Sequence, residues 1–87
     1  MKFSEFIREV RDIKEIAEGW RGKVYVGYWN GKKVAVKVAK APDKVKAIQK
    51  EAEILERLKG IEGFPQVLFK GEDFFVYEFI EGKPFGK

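Results

Sequence analysis

Phe3, Phe6, Ile7 and Val10 recur at three- and four-residue spacing, which predicts a short amphipathic helix over residues 4 to about 12, with Ser4 as N-cap and Glu5 in the first turn. From Ile13 the period changes. Ile16-Ala17-Glu18-Gly19 reads as a strand entering a turn, and Val24, Val26 and Tyr28 alternate on one face of the next strand. Trp29-Asn30-Gly31-Lys32 then supplies the Asn-Gly pair of a tight type I′ hairpin. The returning strand, Lys33 to Ala39, puts Val34, Val36 and Val38 on one face and Ala35, Lys37 and Ala39 on the other. One lysine therefore shares a face with two alanines.

Ala41-Pro42-Asp43 breaks that strand and offers Asp43 as a cap for a helix over about 43–59, with Val45, Ile48, Ala52, Leu55 and Leu58 along one face. Glu51, three residues after Ile48 and four before Leu55, points along the apolar stripe, whereas Glu53 and Glu56 fall on other faces. Gly60 to Pro65 reads as a loop. Val67-Leu68-Phe69, the turn Gly71-Glu72-Asp73 and Phe74 to Phe79 form a second hairpin, and residues 81–87 are linker-like. The pattern divides into an N-terminal helix at 1–12, a small α+β domain at 13–80 and a tail.

With 87 residues, one small domain is the most the chain can hold, and 45% hydrophobic residues suffice for a packed core. The absence of cysteine and histidine excludes a disulfide framework, a thiolate or imidazole metal site and Ser/His catalysis. Lys and Glu dominate the charges while Asn, Gln and Met are scarce, the bias expected of a hyperthermophile. No apolar run is long enough for a signal peptide or a membrane span, which makes a cytoplasmic protein with no membrane partner the default expectation. Residues 31–50 carry seven bases against one acid, within a formal net charge of +4. Aromatic residues do not interleave with these lysines, so a solvated basic face is preferred to a nucleic-acid surface.

The string Ala17-Glu18-Gly19-Trp20-Arg21-Gly22 suggests a turn over phosphates, and the residues after it limit the kind of turn. A dinucleotide-binding turn opens a helix, whereas Gly22 leads into an alternating strand; a Walker loop needs Ser or Thr after its lysine, and Lys23 is succeeded by Val24. There remains a hairpin turn whose small residues let backbone amides approach phosphate oxygens. Lys37 on the next strand can reach the same oxygens. A carboxylate on the apolar stripe of a helix is costly unless paired, and Glu51 is the partner that would hold Lys37 in place.

Ala17 to Lys37, with the Val34-Ala35-Val36-Lys37 string, resembles the first three strands of the eukaryotic-type (Ser/Thr) protein kinase family. Lys50 to Leu58 resembles that family's regulatory helix, and Phe75 to Gly82 its fifth strand and hinge. The resemblance covers about residues 13–85 and implies an N-terminal kinase lobe, a five-stranded antiparallel sheet with one principal helix and the short N-terminal helix. It implies Lys37 and Glu51 as the catalytic pair, and Ala17, Gly19 and Gly22 as the phosphate-covering loop. Ile16, Val24 and Ala35 would hold the adenine of ATP, Tyr77 would be the gatekeeper, and the backbone of Glu78, Phe79 and Ile80 would meet the purine edge. Ala17 departs from the family pattern, which has glycine there.

The same resemblance assigns the catalytic base and the Mg2+ ligands to a C-terminal lobe. Asp12, Asp43 and Asp73, expected in helix, cap and turn, fit none of these roles. The sequence therefore reads as one wall of an ATP site in a longer kinase acting on a protein substrate, and the fragment alone is expected to be inactive. The rival readings are a stand-alone interaction module and a fragment of a small-molecule or lipid-linked-sugar kinase.

Overall fold

A computed structural model describes residues 1–20, 22–58, 60, 61 and 66–79. The elements are α1 (Phe3–Phe6), β1 (Arg11–Glu18), β2 (Gly22–Trp29), β3 (Lys32–Ala39), α2 (Val45–Arg57), β4 (Val67–Lys70) and β5 (Phe74–Glu78). The chain is α+β, and its strands form one antiparallel sheet in the order β1-β2-β3-β5-β4. Among the described residues no helix is long and apolar enough to cross a membrane.

The β2–β3 hairpin forms where Asn-Gly predicts it. Asn30 and Gly31 take φ of 53° and 78°, the left-handed pair of a type I′ turn, between the closing partners Trp29 and Lys32. In-register pairing from there carries Val24 opposite Lys37 and Val26 opposite Ala35. The alternation on β3 divides the core in two. Val34, Val36 and Val38 join Phe6, Val10, Phe74 and Val76 on the outer face, while Ala35 joins Phe75, Tyr77, Ile48 and Ala52 on the face that packs against α2. Both faces of the central strands are thus covered, which is why β5 is apolar from Phe74 to Tyr77 without alternation.

The N-terminal helix is shorter than its spacing predicts. One turn, Phe3–Phe6, passes into a 3₁₀ turn at Ile7–Glu9, and Arg11 is already paired with Tyr28 in β1. Phe6 and Val10 are still buried, so the apolar spacing marks the right residues; a helix this short has little intrinsic stability, and strand pairing claims the remainder. Ser4 lies inside the turn and is not its cap. Instead Asp73, in the β4–β5 turn, accepts the Phe3 N–H at 2.9 Å, and Glu5 accepts the Lys2 N–H at 3.1 Å. Asp12, expected in the helix, sits at φ 54° in a β1 irregularity between Arg11 and Lys14.

The principal helix is also corrected at its start. Pro42 opens a 3₁₀ turn over Pro42–Lys44, α2 begins at Val45, and Lys44 rather than Asp43 occupies the N-cap. Ile48 and Ala52 are its buried residues, and Val45, Leu55 and Leu58 are half-buried as the stripe requires. Residues 62–65 of the expected loop, Ile80 and the 81–87 tail lie outside the described residues.

Candidate functional site

Lys37 lies on β3 opposite Val24 of β2 and Phe75 of β5, and so faces α2. Its Nζ donates to Glu51 Oε2 at 2.8 Å, with side chains 21% and 24% exposed. The pairing expected from Glu51's place on the helix stripe is therefore present. Two contacts hold α2 at the right height for it: Gln49 Nε2 donates to the Glu72 carbonyl at 2.8 Å, and Lys70 pairs with Glu56 at 2.7 Å. The second oxygen of Glu51, Oε1, is buried and has no hydrogen-bond partner among the described residues.

Tyr77 lies in the α2-facing core, 2% exposed. Burial, and then the negative charge of Glu51, push its phenol well above the ordinary tyrosine range. The folded chain thus keeps this proton where the unfolded chain has lost it. The contribution of this group to stability is complete below about pH 10 and falls above it, by at most about 1.4 kcal/mol per pH unit. Urea unfolding at about pH 9 and about pH 11 should show a loss of stability that Tyr77→Phe reduces; the same loss in both proteins would contradict the placement.

Beside Lys37 an open cleft of about 660 Å³ runs under the β1–β2 turn. Ala17, Gly19, Gly22, Val24 and Lys37 line it, as the sequence suggests, together with Glu18, Trp20 and Lys44, which sequence reasoning did not single out. The turn is closed by a Gly19 N–H bond to the Gly22 carbonyl at 2.9 Å. It is also tied down at its sides. Lys40 pairs with Glu18 at 2.6 Å, and that hydrogen bond and charge hold the Glu18 carboxyl below its usual range. Lys44 Nζ stands 5.8 Å from the centre of the Trp20 ring.

The two glycines differ in what fixes them. A Cβ at Gly22 would collide with the carbonyl of Val38 across the β2–β3 ladder, whereas a Cβ at Gly19 would meet nothing closer than 3.9 Å. Packing alone accounts for Gly22. Gly19 has open space above it.

The remaining described candidates do not line this cleft. Ile16 is the extra residue of an irregularity between Glu15 and Ala17, 49% exposed and not part of the cleft lining. Ala35, 1% exposed, lies under α2 on the same face as Lys37, and is opposite Tyr77 across the β3–β5 ladder. The Glu78 and Phe79 N–H groups donate to the carbonyls of Gln66 at 3.0 Å and Lys33 at 3.4 Å, so these two donors are engaged within the fold. Ile80 lies outside the described residues.

Among the described residues no group of three or more acidic side chains could hold a metal ion. The two glutamates nearest the cleft already have lysine partners, Glu18 with Lys40 and Glu51 with Lys37. Asp73 is committed to Phe3 and Asp43 lies 3.6 Å from Lys44 Nζ, so these residues do not make a magnesium site. No protein-family model matches the chain, and no curated protein matches it.

Proposed function

We propose that this chain is the ATP-binding N-terminal lobe of a kinase-like protein whose whole transfers the γ-phosphoryl group of ATP to a protein hydroxyl. The observation that carries the reading is the Lys37–Glu51 pair at 2.8 Å, set on the α2-facing side of β3 beside the cleft beneath the glycine-bearing turn. A lysine fixed by one carboxylate oxygen keeps its other two ammonium hydrogens for a second acceptor, a role that phosphate oxygens fill well. Glu51 is then a positioning residue, setting the direction in which Lys37 presents its charge. Val24 supplies the apolar surface of the cleft against which the base would lie, Ala35 being buried beneath α2, and Gly19 leaves room for phosphate at the turn.

These residues bind and orient; they do not complete a reaction. Among the described residues the carboxylate that lines the cleft, Glu18, is tied to Lys40, and no acidic group of three could hold magnesium, so this reading assigns both functions to a second lobe. The chain by itself should therefore show no phosphotransfer. Its ATP site can be mapped by following backbone amide resonances during an ATP titration. Shifts at Ala17, Gly19, Val24 and Lys37 with little change at Phe6, Trp29 and Phe69 are expected; shifts confined to the outer face, or none, would defeat the reading.

A further inference from the structure

Strand β3 gives the cleft a direction. Ala35, Lys37 and Ala39 share one face at two-residue steps of about 6.6 Å. Ala35 is at the end marked by Tyr77, Ala39 is opposite Gly22 at the turn end, and beyond it the chain bends into the 3₁₀ turn that brings Lys44 into the cleft. A polyphosphate whose first phosphates meet Lys37 and whose chain runs beneath the turn past Gly22 would therefore aim its last phosphate toward Lys44.

The lysines along this path differ in how firmly they are held. Lys37 and Lys40 have carboxylate partners at 2.8 and 2.6 Å. Lys44 has the Asp43 carboxylate at 3.6 Å, on a side chain 74% exposed, and the Trp20 ring at 5.8 Å, on a residue 87% exposed. Contacts that are long and solvated contribute little, so this ammonium is the one a phosphate could recruit at least cost.

We propose that Lys44 is a second phosphate-binding residue of the cleft, contacting phosphates beyond the first in a nucleoside polyphosphate and leaving the Trp20 ring to do so. The proposal rests on the ATP reading and deepens it: the two lysines together would make the cleft select polyphosphates over monophosphates without a metal. Tryptophan emission reports the step directly, because Trp20 loses its cationic neighbour when ligand binds.

The test is a titration of the 87-residue chain with ATP and with AMP at fixed low ionic strength, by calorimetry and by tryptophan emission, on the unmodified protein, Lys44→Gln and Trp20→Phe. In so solvated a site Lys44→Gln should weaken ATP about three- to tenfold and leave AMP within about twofold. The emission change caused by ATP should vanish in Trp20→Phe. If ATP binds and needs Lys37 while Lys44→Gln binds it as the unmodified chain does, or loses AMP equally, the Lys44 assignment alone is overturned. If the unmodified chain binds no ATP, the ATP reading falls and this assignment with it.

Discussion

Replacing Gly22 by alanine should cost the fold about 3 kcal/mol, whereas the same change at Gly19 should leave stability within about 0.5 kcal/mol of the starting protein. The two glycines stand three apart in one turn, and the chemistry of the substitution is identical. What differs is the space above them: the Val38 carbonyl of β3 occupies the Cβ position at Gly22, and Gly19 has no neighbour closer than 3.9 Å. Relief of the collision would require the β2–β3 ladder to part at the Gly22–Ala39 pair, next to Lys37. For a domain of this size each kcal/mol corresponds to ~4–8 °C, so thermal unfolding by circular dichroism should separate the variants clearly. Similar melting of the two would mean that β2 and β3 are not packed as described.

The second large effect is expected at Phe6. This side chain is 1% exposed, with its ring centroid 4.9 Å from that of Phe74, 5.3 Å from Trp29 and 5.8 Å from Phe69. Phe6→Ala should destabilise the protein by about 3–5 kcal/mol, because truncation removes buried ring surface and leaves a cavity among aromatic neighbours that can close only in part. The N-terminal segment is thus a working part of the core and covers the outer sheet face. Denaturant unfolding is the appropriate measurement. A loss below about 1 kcal/mol would show instead that the segment rests on the sheet without contributing to it.

The hairpins and the Lys37–Glu51 pair are legible in the sequence because each is written in local terms. Asn30-Gly31 encodes its own backbone geometry, alternation assigns Lys37 to the alanine face, and a 3.6-residue period assigns Glu51 to the apolar stripe. Two local signals are outweighed, one by tertiary structure and one by a neighbouring residue. The spacing of Phe3, Phe6 and Val10 finds the buried residues but not the length of the helix, since Arg11 gains more from pairing with Tyr28 than from a further turn. Asp43 has the right chemistry for a cap, but Pro42 starts a 3₁₀ turn first.

Other features depend on residues distant along the chain. The cap that Asp73 provides for Phe3 spans 70 positions, and the tie between Glu18 and Lys40 requires the turn to fold back over the end of β3. Lys44 reaches the cleft only because the 3₁₀ turn lifts it there; in the sequence it is one of seven lysines between residues 31 and 50. Ile16 belongs to the site by the family resemblance, and an irregularity in β1 takes it out of the cleft lining.

The most direct test of the account is a calorimetric titration of the chain with ATP, with and without magnesium, repeated on Lys37→Ala. A solvated cleft with no metal site among the described residues should bind weakly, with a dissociation constant on the order of 1 mM. Magnesium should not strengthen binding, and Lys37→Ala should reduce it by about tenfold or more. Binding that is tight and needs magnesium, binding indifferent to the loss of Lys37, or no binding at all would contradict the assignment of this cleft to ATP.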